Sequence, residues 1–249
     1  MPRLFKTAKQ NRVFQDVVDQ IQESILRGRL KTGQMLPPER ELREQFAVSR
    51  GTLREALRVV EQKGLIRIKL GAGGGAEVQA PGNEQMSESL ALLIQSRSVS
   101  LKHLSEFREA LESEIAAKAS ERARSSDLPE LWELLRQADG ILSAKPLDWR
   151  AFVSVDGRFH QALARLTGNP MYISVLQTIQ DNIHPYYDRF LPKDKSTLTE
   201  NYHDLVRLLE AVQHGKGQAA ADLARSHVQR FNRYMKRIEQ SDAHCGQEP

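Results

Sequence analysis

The chain has 249 residues, enough for one large domain or two small ones, each with a core that needs no covalent staple. Its 40% hydrophobic and 27% charged residues exclude a disordered chain, and its one cysteine, Cys245, excludes an internal disulfide framework and points to a reducing compartment. No apolar run approaches the roughly 20 residues of a membrane helix, and the basic start, Met1 to Lys9, leads into polar sequence rather than a signal peptide, so a cytoplasmic protein is expected.

The net charge of +4 is unevenly placed. Residues 1–82 hold 15 Lys+Arg against 9 Asp+Glu, and residues 83–249 hold 21 against 23. A basic first part joined to a slightly acidic remainder suggests that the first part meets a polyanion, although a solvated surface of skewed charge reads the same way.

In chain order, Phe14, Val18, Ile21 and Ile25 recur at helical spacing and predict a helix over 11–26. Gly28 and Gly33 break it, and Leu36-Pro37-Pro38 precedes a short helix over 39–46 with Leu42 and Phe46 inward. Ala47-Val48-Ser49 reads as a tight turn with Ser49 capping a third helix over 50–63, which Gly64 ends. The period then changes. Ile66, Ile68 and Leu70 alternate with Arg67 and Lys69, and after the glycine run 71–75 the alternation returns at Ala76, Val78 and Ala80. This pattern predicts a two-stranded hairpin. Pro81-Gly82-Asn83 reads as a linker. Everything beyond it is helical in pattern: 84–96, 100–123, 127–143, 148–167, 170–188, 199–213 and 217–239, with a polar, frayed tail over 240–249. The expected architecture is mainly α: a winged helix-turn-helix over 1–82 and an all-α bundle for ligand binding and dimerisation over 83–239.

Two short helices, a three-residue turn and a wing point to double-stranded DNA as partner. Arg50, Gly51, Thr52 and Arg54 fall on the first turns of the third helix, where a recognition helix meets base edges and phosphates. Arg40, Arg58 and Lys69 add cations, and arginine can fork onto guanine or phosphate in a bidentate way. The plainer alternative is a helical hairpin with solvated arginines. The segments 36–42, 48–57, 64–66 and 71–75 resemble the signature of the GntR family of bacterial regulators. The resemblance implies that Arg40, Arg50 and Arg54 contact operator DNA, with Ser49 and Thr52 on its backbone and Gly71 at the wing. Gly51 departs from the family pattern, where a larger residue often sits.

In the acidic half, Asp156 and His160 stand at i and i+4 on one helix face, where they can chelate a divalent ion or form an ordinary polar pair. With His227 and His203 they would make a set suited to zinc, nickel or manganese. The segments 104–112, 156–169, 208–212 and 220–227 resemble the effector domain of the FadR subfamily, an all-α bundle. The resemblance implies a metal held by an Asp and three His, with a small carboxylate effector completing its coordination. Asp156, His160 and His227 fall on the family's positions, but Leu205 stands where the family has the remaining histidine, with His203 two residues earlier. Two residues rotate a helix by about 200°, so in a regular helix His203 points away; a late helix start would let it reach, and His184 is a remote substitute. Arg108 falls on a family position from which it can pair with an effector carboxylate, or it forms a surface salt bridge with Glu112 at i+4. Trp132, Trp149, Tyr186 and Tyr187 read as packing residues.

The sequence therefore reads as a dimeric, ligand-responsive transcription regulator, a repressor rather than an activator and not an enzyme, since a dimer on a promoter blocks polymerase without further contacts. A metal-dependent enzyme with a DNA-targeting module and an architectural DNA-binding protein are the alternatives. No general base or nucleophile stands out beside Asp156 and His160.

Overall fold

The stripe that predicts the first helix is its buried face: in α1 (Arg12–Leu26), Val17, Val18, Ile21 and Ile25 are buried and Phe14 packs against them. The computed structural model describes residues 12–71, 74–80, 82–96 and 98–245, so Ala72, Gly73, Pro81 and the last four tail residues lie outside the described residues. The chain divides into two compact units, Met1–Gln85 and Met86–Pro249.

In the first unit, α2 (Glu39–Phe46) starts directly after Pro38 and buries Leu42. Ala47 takes a left-handed conformation, φ 53°, that turns the chain out of α2. The Ser49 hydroxyl accepts from the Thr52 amide at 3.1 Å and caps α3 (Arg50–Gln62), whose Leu53, Ala56, Leu57 and Val60 complete the core. Strand β1 (Ile66–Lys69) pairs antiparallel with β2 (Gly75–Val78), in a register that sets Ile66 opposite Val78 and Lys69 opposite Gly75. The turn between them depends on glycine: Gly71 has φ +102°, and a Cβ on Gly74 would lie 2.3 Å from the Lys69 carbonyl oxygen.

One feature of this sheet departs from the sequence reading. Residues 33–36 lie along the other edge of β2: Gly33 donates to the Val78 carbonyl, Val78 to that of Gln34 and Leu36 to that of Ala76, each at 2.8 Å. Gly33 and Pro37 bracket a stretch too short to display an alternation.

The second unit contains α4 (Glu84–Gln95) from Met86 onward, α5 (Leu101–Arg122), α6 (Leu128–Ser143), α7 (Trp149–Leu166), α8 (Pro170–Phe190), α9 (Lys195–Gln213) and α10 (Gly217–Cys245). Ser100 and His103 form a capping box at α5, and Asn169 caps α8 through the Met171 amide. Helix α9 starts four residues earlier than its apolar pattern predicts, because Asp194 accepts from the Thr197 amide at 2.9 Å and supplies the cap. Helix α10 runs on to Cys245 rather than ending at 239, since no glycine or proline interrupts it between Gly217 and Gly246. Its most extensive packing is along α5, where small residues allow close approach and Ser105 and Ser113 donate to Asn232 and to the Ala221 carbonyl, at 2.9 and 3.0 Å. Helix α7 packs on α5, α6 and α8, and α9 on α5, α6 and α10. The core between them is built from Ile115, Leu131, Phe152, Phe159, Leu163, Leu176, Ile183, Leu205 and Leu208. Among the described residues no helix is long and apolar enough to cross a membrane.

Candidate functional site

In the first unit, burial of Leu53, Leu57 and Val60 leaves the opposite face of α3 to solvent, and Arg50, Gly51, Arg54 and Arg58 are exposed there. Thr52 is half-buried, its hydroxyl 2.9 Å from that of Ser49, so the cap also fixes the first turn. Arg40 is exposed on α2. Its neighbour Glu39 lies 3.9 Å from both Arg50 Nε and Arg54 Nε, at 69% and 53% side-chain exposure of the two arginines. Ion pairs this long and this exposed contribute little energy, so Glu39 leaves both guanidinium groups available to another partner. Lys69 is engaged differently. Its Nζ is 2.8 Å from Glu77 Oε1 across the hairpin, and hydrogen bonds from Lys69 and Gln79 hold the Glu77 carboxyl below its ordinary value.

In the helical unit, polar residues replace apolar ones on three inward stripes. On α5, Arg108 and Glu112 continue the line from Leu104 to Ile115 and Ala119; on α7, Asp156 and His160 lie among Phe152, Phe159 and Leu163; on α10, His227 follows Ala220 and Ala224. The structure brings Asp156, His160 and His227 together. The two Nε2 atoms are 3.3 Å apart, and Asp156 places Oδ2 3.9 Å from that of His160 and Oδ1 3.8 Å from that of His227. Asn201 on α9 donates to Asp156 Oδ1 at 3.4 Å. Glu112 Oε2 lies 2.7 Å from His160 Nδ1, and Asp204 Oδ2 lies 3.7 Å from His227 Nδ1.

This arrangement fits a divalent ion. A carboxylate only accepts, so Glu112 beside Nδ1 favours the His160 tautomer that carries its proton there and leaves the Nε2 lone pair toward His227 and Asp156. Two ring nitrogens facing each other at 3.3 Å beside a carboxylate can share a proton or hold a cation between them. Burial alone would lower the His160 value, but the Glu112 and Asp156 carboxylates more than offset it and raise it. Burial alone would likewise raise the Glu112 carboxyl, yet the Arg108 guanidinium and the His160 ring hold it well below the carboxylate range.

His203 is not part of the cluster. Helix α9 is already regular at Lys195, and His203 is exposed on its outer face beside Glu200, Arg207 and Arg230, while Leu205 is buried in the core. The side chain of His184 on α8 lies outside the described residues. Arg108 does pair with Glu112, Nε to Oε1 at 2.7 Å, but the pair is buried, at 3% and 2% exposure, and not on the surface. Its Nη1 also donates to the Tyr187 hydroxyl at 3.4 Å. Tyr187 thus belongs to this buried network and not only to the packing, and burial pushes its hydroxyl up to about 12. Trp149 packs against the core and lies under the cations of Arg150 and Lys193, while Trp132 donates to Gln213 at the surface. Asp204 and Asn201 are absent from the sequence-derived site. Their one available signal is position: both are polar residues on α9 within the turn that precedes the buried Leu205.

A winged helix-turn-helix with an arginine-bearing recognition helix, followed in the same chain by a helical bundle enclosing an Asp/His cluster, defines a DNA-binding regulator with its own sensory domain. Residues 14–75 match the family model for bacterial regulatory proteins of the gntR family, and residues 103–230 match that for the FCD domain. The chain therefore belongs to the GntR family of transcriptional regulators with an FCD effector domain, a family of regulators rather than enzymes. FCD domains are often associated with a metal. The chain is 28% identical over 226 residues to the galactonate operon transcriptional repressor of Escherichia coli, covering 89% of this chain and 96% of the relative. It is 29% identical over 242 residues to the Uxu operon regulator of Haemophilus influenzae, covering 93% and 84%. A Streptococcus agalactiae GntR structure shares the fold with a TM-score of 0.63 at 23% identity, over 88% of this chain and 99% of that one.

Proposed function

We propose that this regulator is a homodimeric repressor released from its operator by a small hydroxy-carboxylate that binds in the helical unit through a divalent metal. The buried Asp156–His160–His227 cluster carries this reading, because a polar cluster so enclosed is costly unless a ligand uses it. Three protein ligands leave open positions on the ion, which a carboxylate and an adjacent hydroxyl can fill. The metal's chemistry here is that of a Lewis acid holding an anion, with zinc, nickel and manganese all compatible with the donors. Arg108, fixed by Glu112, is the cation that meets the far end of the acid. The name of the galactonate relative supports a polyhydroxy acid as effector. Such a ligand acts as a switch only if it binds one arrangement of the dimer better than the other.

Arg40, Arg50, Arg54 and Arg58 are the proposed operator contacts, supported by Ser49, Gly51 and Thr52 at the helix start and by Lys69 and Gly71 at the wing. Arg50→Ala and Arg54→Ala should each weaken specific operator binding by about 1–3 kcal/mol. Gel-shift titration at fixed salt measures this, and unchanged affinity in both variants overturns the assignment. Adding metal and candidate sugar acids to the same titration tests release. The full chain should sediment as a dimer at micromolar concentration, matching two half-sites; a strict monomer on operator DNA speaks against the proposed mode.

A further inference from the structure

Among the described residues, two buried side-chain atoms lack a hydrogen-bond partner: Glu112 Oε2 and Asp204 Oδ2. Both face the same cluster from behind, Glu112 toward Nδ1 of His160 at 2.7 Å and Asp204 toward Nδ1 of His227 at 3.7 Å. Glu112 is close to its histidine but out of line with a ring N–H; Asp204 stands one short step further off.

From this pairing we infer that Asp204 is the positioning residue of His227: it fixes the proton on Nδ1 and thereby presents Nε2 to the metal. The inference rests on the metal reading above.

The surroundings of Asp204 suit the role. It is 5% exposed, on α9 directly before Leu205. Its Oδ1 is held by the Arg207 guanidinium and by Arg230 Nη2, the latter at 3.3 Å. One oxygen is thus anchored by two cations, and the other is left for a single donor. Two guanidinium groups on one oxygen favour the carboxylate form, which can only accept.

The alternative tautomer shows what Asp204 prevents. With its proton on Nε2, His227 would donate to His160 Nε2, 3.3 Å away, and block its own ligand atom. Nothing on α7 forbids that arrangement. Leu205 is apolar and cannot choose between the tautomers. The choice is made from α9 by Asp204, as Glu112 makes it for His160 from α5.

Asp204→Asn tests this at constant size. The two arginines retain the side-chain oxygen, which leaves the amide NH2 facing His227 and reverses the preferred tautomer. Two measurements on the full chain are needed. Long-range 1H–15N spectra of the metal-free protein read the ring tautomer, and competition with a chromophoric chelator reads zinc affinity. The expected wild-type result is His227 protonated on Nδ1; in Asp204→Asn the proton moves to Nε2 and zinc affinity falls about 10–100-fold. Asp204→Ala, in which neither group is offered, should give a mixed tautomer and an intermediate or equal loss, and it serves if the asparagine variant does not fold. An unchanged tautomer, or zinc affinity within about threefold of wild type in the folded variant, overturns the inference. If wild type binds no zinc, the metal reading fails by itself, and the tautomer comparison still decides the role of Asp204.

Discussion

Arg108→Ala should destabilise the helical unit by about 3–5 kcal/mol, because it leaves Glu112 as a buried carboxylate without its strongest partner. Both groups are almost inaccessible and meet at 2.7 Å. Removal of the cation creates the whole penalty, whereas removal of both partners does not: Arg108→Met with Glu112→Leu should unfold within about 1–2 kcal/mol of wild type. Denaturant unfolding of the metal-free protein measures both, and a single variant as stable as the double one contradicts the expectation. The pH dependence carries a sign as well. Glu112 has its folded value depressed from an ordinary 4.5, so its contribution is complete above that pH and is lost as the pH falls toward the folded value. In Arg108→Ala the main cause of the depression is gone. The unfolded value is common to both chains, so the gap between wild type and variant should narrow as the pH falls from the variant's higher folded value toward the depressed one of wild type.

That pair illustrates what the sequence makes legible. The spacing of Arg108 and Glu112 puts them on one helix face, and either an effector contact or a surface bridge follows from that alone. Only the packing of α10 along α5, a contact between residues more than 100 positions apart, shows that this face is inside. The elements themselves are local. Apolar stripes, Ser49, Ser100 and Asn169 caps and the glycines 64 and 71 place every helix and both strands to within a few residues. The exceptions are α9, where Asp194 provides a cap before the apolar pattern begins, the end of α10, which runs on to Cys245, and the short edge pairing of residues 33–36 with β2. The cluster is intermediate. Asp156 and His160 are one turn apart on α7 and could be found by spacing, and His227 by resemblance. Asp204 and Asn201 could not, because the family position at Leu205 draws attention to a histidine that this chain lacks.

The displaced histidine gives the metal reading its sharpest consequence. His160→Ala and His227→Ala should each abolish tight metal binding, while His203→Ala should leave it unchanged. His160 and His227 face one another at Nε2 inside the bundle, and His203 is on the outer side of α9. A bound ion ties α7 to α10, which otherwise meet here through two facing histidine rings, and it stabilises the folded state by mass action. At a free concentration 100 times its dissociation constant the gain is about 2.7 kcal/mol. For a chain of this size that raises the melting midpoint by roughly 5–11 °C. Elemental analysis and thermal unfolding, with and without chelator, read occupancy and gain together. Wild type that holds no metal and gains nothing from zinc, nickel or manganese overturns the reading, as does a His203 variant that loses as much as the His160 one. The effector should add to the midpoint only while the metal is present, because the open positions it would fill belong to the ion and not to the protein.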